Sequence, residues 1–258
     1  MTDLKTAKIV ITGGSAGVGL EMAKALVQRG AEVTVIARDS IKLDVARDIG
    51  AYSISGDATD RALIDRAITD VDPDVLILNA GARLHPALID EQDWETFSLI
   101  WNTDVKAVFV GIQAALKRPM RPGTRVLIMS SGAALVMSHP KIDPYDLRHS
   151  NGYVGAKRMV WFMGHQANAV SRIRGLGINF QVLVPGQLMA ATEHGQTVAA
   201  ACAKAEGITI EEHILHRYGS HLQPSQIGRQ VAELLAESRY EQGVAYGFRD
   251  NMDIIPFD

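Results

Sequence analysis

Short runs of Val, Ile and Leu recur along the chain, separated by longer segments whose apolar positions fall at helical spacing. Strands buried on both faces read as continuous apolar runs, and their alternation with helices builds a parallel sheet from βα units. Seven runs are predicted as strands: Lys8 to Thr12, Glu32 to Ala37, Ala51 to Ser55, Val75 to Leu78, Arg125 to Met129, Ile178 to Val184 and Gly243 to Phe248. Between them, Val18 to Arg29 reads as a helix stopped by Gly30. Asp90 or Asp93 offers an N-cap for a long helix through Lys117, and Tyr153 to Arg174 reads as another helix that ends near Gly175. The expected fold class is α/β, a doubly wound parallel sheet of about seven strands in three α/β/α layers. No repeat, linker or low-complexity segment divides the chain, so residues 1–258 are expected to form one domain. The stretch Arg118 to Arg125, with Pro119, Pro122 and Gly123, reads as a solvated loop.

Composition narrows the function classes. A hydrophobic fraction of 47% with 21% charged residues is ordinary for a globular chain. The net charge of -3 argues against a nucleic-acid partner, which would call for a basic stripe. Cys202 is the sole cysteine, so no intramolecular disulfide can form and a reducing, cytoplasmic setting is expected. No apolar run approaches the roughly 18 residues needed to span a bilayer, so no membrane association is expected.

The first predicted strand runs directly into Thr12-Gly13-Gly14-Ser15-Ala16-Gly17-Val18-Gly19 and then a helix. That context turns a glycine pattern into a Rossmann-type dinucleotide-site hypothesis. Gly13 permits a tight turn, Gly17 lets backbone approach a pyrophosphate, and Gly19 lets the helix pack close to the strand. The helix N-terminus then offers unpaired N–H groups to phosphate. A glycine-rich turn without a ligand is the bland alternative. Farther along, Tyr153 and Lys157 stand four apart on a predicted helix and so share one face, where an ammonium can act on a phenol. A free tyrosine has a pKa near 10, and a neighbouring cation favours its phenolate. A surface pair on an amphipathic helix is the alternative there.

These residues resemble the classical short-chain dehydrogenase/reductases. The glycine spacing, Asn79-Ala80-Gly81 after the fourth strand, Ser130-Ser131 after the fifth, Tyr153-x-x-x-Lys157 and Pro185-Gly186 after the sixth follow that family's order. The resemblance covers roughly residues 6 to 190. It implies an oxidoreductase that interconverts a ketone or aldehyde with an alcohol by hydride transfer on NADP(H) or NAD(H). The implied catalytic set is Tyr153 as proton donor and acceptor, Lys157 on the phenol and the nicotinamide ribose, Ser131 on the substrate oxygen, and Asn102 holding a water that links Lys157 to solvent. Ser130 or Ser138 could take the place of Ser131. Implied cofactor contacts are Thr12, Gly13, Ser15, Gly17, Val18, Gly19, Arg38, Asp57, Ala58, Asn79, Ala80, Gly81, Tyr153, Lys157, Pro185 and Gly186.

Arg38 follows the second strand, where NAD-specific relatives carry an acidic residue. An arginine suits a 2′-phosphate instead, so NADP is expected over NAD, with Asp39 beside it opposing phosphate. Asp57 would take the adenine amino group. Thr192 is weighed, and not adopted, for the nicotinamide amide contact that Ala190 cannot make. Residues 187–222 are expected to form a lid over the substrate pocket. His139, Asp143, Tyr145, Asp146 and His149 lie in an enlarged loop before Tyr153 that shapes a polar pocket or is a solvated insertion. His213, His216 and His221 lack a ligand pattern, and no metal is assigned. Trp161, Phe162 and Met163 are expected in the core or at a subunit interface. The resemblance also implies a homo-oligomer, a tetramer or dimer, built on helices near Asp104 to Lys117 and Tyr153 to Arg174. The rival readings are a non-catalytic NADP-binding sensor or scaffold and a redox-neutral epimerase or dehydratase.

Overall fold

A computed structural model describes residues 2–117, 120–138 and 151–257. The side chain of Ser138 and the residues His139, Asp143, Tyr145, Asp146 and His149 lie outside what it describes.

Among the described residues, eight strands form one sheet in the order β3-β2-β1-β4-β5-β6-β7-β8. They are β1 (Lys8–Thr12), β2 (Glu32–Ala37), β3 (Tyr52–Ser55), β4 (Val75–Leu78), β5 (Arg125–Met129), β6 (Asn179–Pro185), β7 (Ala245–Phe248) and β8 (Ile254–Pro256). The first seven run parallel, and β8 closes the edge antiparallel to β7 with Phe248 opposite Ile254. This eighth strand was not expected. Its three residues end on Pro256, too short for a periodic signal, and proline is tolerated there because it lies on an edge.

Successive residues of β1 face opposite ways. Ile9 and Ile11 pack with α1 (Gly17–Gln28), α2 (Ser40–Asp48) and α9 (Pro224–Ala236). Val10 packs with α3 (Arg61–Val71), α5 (Lys106–Lys117) and α6 (Asn151–Ile173) on the other face. The three layers follow from this alternation, since each face of a parallel sheet must be covered. Winding reverses between β1 and β4, which pair Thr12 with Leu78, and their C-terminal ends open a crevice at that switch point.

The expected helix from Asp93 to Lys117 is broken into three parts: α4 (Trp94–Ile100), a π-helical turn (Trp101–Val105) and α5. Asp93 is the N-cap, accepting from the Thr96 N–H at 2.7 Å. The wide turn shifts the phase of the side chains that follow it. The solvated loop expected through Arg125 also needs correction, because Met120, Thr124 and Arg125 are buried. The Arg125 guanidinium donates to Gln181 Oε1 at 2.8 and 2.6 Å and to the carbonyls of Leu234, Leu235 and Tyr240. Five acceptor contacts make a buried cation tolerable without exposure to water.

The expected lid holds α7 (Glu193–Glu206) and α8 (Ile210–Tyr218). Thr192 caps α7 through the Gly195 N–H at 2.9 Å, and Gly207 ends it in the left-handed region with φ 69°. Thr209 and Glu212 form a capping box at the start of α8. Each side-chain cap is worth about 1 kcal/mol, so these polar residues define the lid helices even though their apolar pattern is weak.

Candidate active site

The glycine turn is fixed by two side chains behind it. Thr12 Oγ1 accepts from the N–H groups of Asn79 at 3.0 Å and Ala80 at 3.2 Å, while Asn79 Nδ2 donates to the carbonyls of Thr12 and Gly13. Thr12 is buried, so its place is to tie the β1 and β4 loops together and not to meet a ligand directly. Gly13 has φ 70°, and a Cβ there would lie 2.7 Å from Ala80 Cα. A Cβ on Gly19 would lie 2.6 Å from Asn79 Nδ2. Side chains at either position would push apart the two loops that form the cradle. Ala16, the N-cap of α1, offers no side-chain cap, which leaves the first N–H groups of the helix open toward the cleft.

The cleft itself is about 1050 Å³. It is lined at one end by Gly13, Ser15, Gly17, Val18, Gly19, Arg38, Asp57 and Ala58, and farther along by Asn79, Ala80, Gly81, Ser131, Tyr153, Lys157, Pro185 and Gly186. Lys42 lines it beside Arg38, a second cation that the sequence reading missed. Asp39, expected to oppose a phosphate, instead caps α2, accepting from the N–H groups of Ile41 and Lys42 at 3.0 and 3.2 Å. Asp57 Oδ1 accepts from the Thr59 N–H at 2.8 Å. That bond, then the Thr59 hydroxyl and after it the charge of Arg38, hold the Asp57 carboxyl below the usual range despite partial burial. A cradle that added side chains would fill, a pair of cations and an ionised carboxylate fit a dinucleotide that carries an extra phosphate.

At the other end Tyr153 and Lys157 lie on α6, with Lys157 Nζ 5.4 Å from the centre of the Tyr153 ring. Lys157 Nζ is buried, 3.0 Å from Asp104 Oδ2 and 3.4 Å from the Met129 carbonyl. Burial alone would lower the Lys157 pKa, but the Asp104 carboxylate, by charge and hydrogen bond, leads the opposing effects and the net direction is upward, so the ammonium persists. The Ser130 hydroxyl is committed elsewhere, donating to the Lys157 carbonyl in the second turn of α6 at 2.8 Å. Ser131 lies just past β5 on the cleft wall, with its Oγ accepting from the Ala133 N–H at 3.2 Å.

Asn102 is not brought to this cluster. It is exposed on the π-helical turn with its amide 3.5 Å from Ser98 Oγ, and it does not line the cleft. Two residues later Asp104 is buried and reaches Lys157. The sequence carried a signal for this that went unread, because Asp104 stands four residues after Ile100 and three and four before Ala107 and Val108, all of them buried. The lid adds His194, whose ring lies 4.6 Å from that of Tyr153. Burial, and then the Lys157 charge, push the His194 pKa down to about 4, so the imidazole is neutral in the working range.

A model of the short chain dehydrogenase family matches residues 7–199. The chain belongs to that family. Its members similar to this chain include an oxidoreductase, asL5, of Sarocladium schorii, 28% identical over 239 residues that cover 89% of this chain and 88% of that protein. Gluconate 5-dehydrogenase of Gluconobacter oxydans is 32% identical over 155 residues, 55% of this chain and 59% of that one. In three dimensions the chain resembles an actinorhodin polyketide ketoreductase variant crystallised with NADPH, at TM-score 0.75 and 20% identity over 98% of this chain and 99% of the other. That likeness shows a shared Rossmann-like fold.

In this short chain dehydrogenase two lid histidines lie against glutamate carboxylates. His213 Nδ1 lies 2.8 Å from Glu206 Oε2 and His221 Nε2 lies 3.0 Å from Glu211 Oε1. Thr192, weighed for a nicotinamide contact, uses its hydroxyl on the α7 cap. Trp161 packs on the Val182, Val184 and Ala245 cluster and against Phe257, Met163 is half-buried against the core under its own helix α6, and Phe162 is exposed. Among the described residues no helix is long and apolar enough to cross a membrane.

Proposed function

We propose that the protein is an NADP(H)-dependent oxidoreductase that interconverts a ketone or aldehyde with an alcohol, with Tyr153 as proton donor and acceptor. The observation that carries this reading is a single cleft in which the glycine cradle and the Tyr153–Lys157 pair open onto each other. The open N–H groups of α1 and the backbone from Gly13 to Gly19 hold the pyrophosphate. Arg38 and Lys42 take the 2′-phosphate, an assignment that Asp39 does not oppose because its carboxylate is committed to the α2 cap. Asp57 and Ala58 flank the adenine, and Asn79, Ala80, Gly81, Pro185 and Gly186 border the nicotinamide side. An NADPH complex in a protein of the same fold supports this choice of cofactor.

When bound there, NADPH would supply the hydride that reduces the carbonyl carbon and would itself be oxidised to NADP+. Tyr153 gives the proton that completes the alcohol, and in the oxidative direction takes it back. Lys157 holds its ammonium close to the phenol, where it stabilises negative charge as the proton leaves. Ser131 hydrogen-bonds the substrate oxygen and fixes its distance from Tyr153. The α7 and α8 lid covers the substrate end and excludes water. Exposed Phe109 on α5 and Phe162 on α6 fit burial in a homo-oligomer through those helices.

The test is absorbance at the nicotinamide band with NADPH or NADH and a panel of ketones, 3-oxoacyl thioesters, sugars and quinones, with Tyr153→Phe as control. Oxidation of NADPH by the parent, falling at least about a hundredfold in Tyr153→Phe while NADPH binding persists, is the expected result. Tight NADPH binding with no turnover on any panel member would instead favour a sensor, and turnover without net NADPH loss an epimerase or dehydratase.

A further inference from the structure

The buried carboxylate of Asp104 lies beside the proposed chemistry, and the mechanism above does not use it. It is held from three sides. Its Oδ2 accepts from Lys157 Nζ at 3.0 Å, and its Oδ1 accepts from the Ala82 N–H at 2.8 Å. Gly81 leaves room for it, since a Cβ there would lie 3.0 Å from Oδ2. Asp104 and Lys157 are 3% and 6% exposed, so water screens neither charge.

We propose that Asp104 is a positioning residue that offsets the Lys157 ammonium, keeps Tyr153 in its proton-donating form, and so biases the site toward carbonyl reduction. This rests on the oxidoreductase reading given above. An ammonium alone beside a phenol stabilises the phenolate, the form that takes a proton and serves alcohol oxidation. A carboxylate in contact with that ammonium cancels most of its field at the ring, while its hydrogen bond still aims Nζ into the site. Among the described residues, the other groups around Tyr153 do not supply this charge. From α7, His194 is neutral against the ring, and from β5 the Met129 carbonyl touches Lys157. Arg83 and Glu193 pair with each other at 3.4 Å at the exposed rim. Asp104 and Lys157 therefore set the charge at Tyr153, and they act in opposite directions.

The experiment compares the pH profile of NADPH-dependent reduction in the parent, Asp104→Asn and Asp104→Glu. The asparagine keeps an acceptor for the Ala82 N–H and removes the charge, whereas the glutamate restores the charge. The basic limb, where reduction fails for want of a proton donor, moves down by about one pH unit in Asp104→Asn and returns toward the parent position in Asp104→Glu. A limb that stays in place while only thermal stability or kcat falls would overturn the proposal in favour of a structural ion pair. Phenolate absorbance, taken as the difference between each protein and its Tyr153→Phe counterpart, needs no substrate. Its onset is expected at lower pH in Asp104→Asn than in the parent and in Asp104→Glu, and a common onset in all three would overturn the proposal. If no carbonyl is reduced but phenolate sets in at lower pH in Asp104→Asn, the oxidoreductase reading fails and the charge-setting role of Asp104 stands.

Discussion

Arg38, Asp39 and Lys42 show how a backbone commitment decides what a side chain can bind. Read as letters, Arg38-Asp39 places opposite charges at the cofactor's ribose. In the fold the aspartate closes the first turn of α2, and Arg38 and Lys42 are left facing the cleft. Arg38→Asp should therefore shift the NADPH over NADH preference in kcat/KM by roughly ten- to a hundredfold toward NADH, the scale of one charge-assisted contact. An unchanged preference would move the phosphate contact elsewhere. Tyr153, Lys157 and the glycines were legible in the sequence because their spacing maps directly onto a helix face and a turn. Asn102 and Asp104 were not told apart, because both are polar and stand in one segment, although Asp104 and not Asn102 keeps the helical spacing of buried Ile100, Ala107 and Val108.

Elements were legible in proportion to how strongly they are buried. The strands β1, β2, β4 and β5 fall at their expected limits because continuous apolar runs have no other use in a doubly wound sheet. The edge strand β8 and the lid helices carry little apolar periodicity, and their limits are set by caps, glycines and partners distant in sequence. The lid helix α7 also places His194 on Tyr153, which makes lid closure sensitive to acid. An exposed imidazole protonates near pH 6.5, whereas that of His194 does so at about 4. Between those values the unfolded chain or open lid binds a proton that the closed form does not, so stability is lost as pH falls from 6.5 toward 4. Substitution His194→Phe should reduce that acid loss by about 1–3 kcal/mol, read as a smaller fall in the melting temperature between pH 6.5 and pH 4. Equal falls in both proteins would mean that the histidine is free to reach solvent when charged.

At the scale of the molecule, the sheet order brings together residues from distant parts of the chain at one crevice. The glycine turn follows β1, Asp104 precedes α5, Ser131 follows β5, Tyr153 and Lys157 ride on α6, and His194 descends from the lid. The switch point between β1 and β4 requires such a crevice, and the family match over residues 7–199 agrees with that architecture. Pocket chemistry beyond the catalytic end was not legible, because the lid presents a mixture of Ala, Met, Glu and His whose arrangement depends on how α7 and α8 fold over the cleft. The central claim is hydride transfer completed by a Tyr153 proton. Its most direct measurement is a single turnover with NADPH carrying deuterium at the transferable position, in the parent and in Tyr153→Phe. The account predicts one deuterium on the carbinol carbon of the product from the parent and almost none from the variant. Product without that label, or labelled product formed equally fast by Tyr153→Phe, would contradict it.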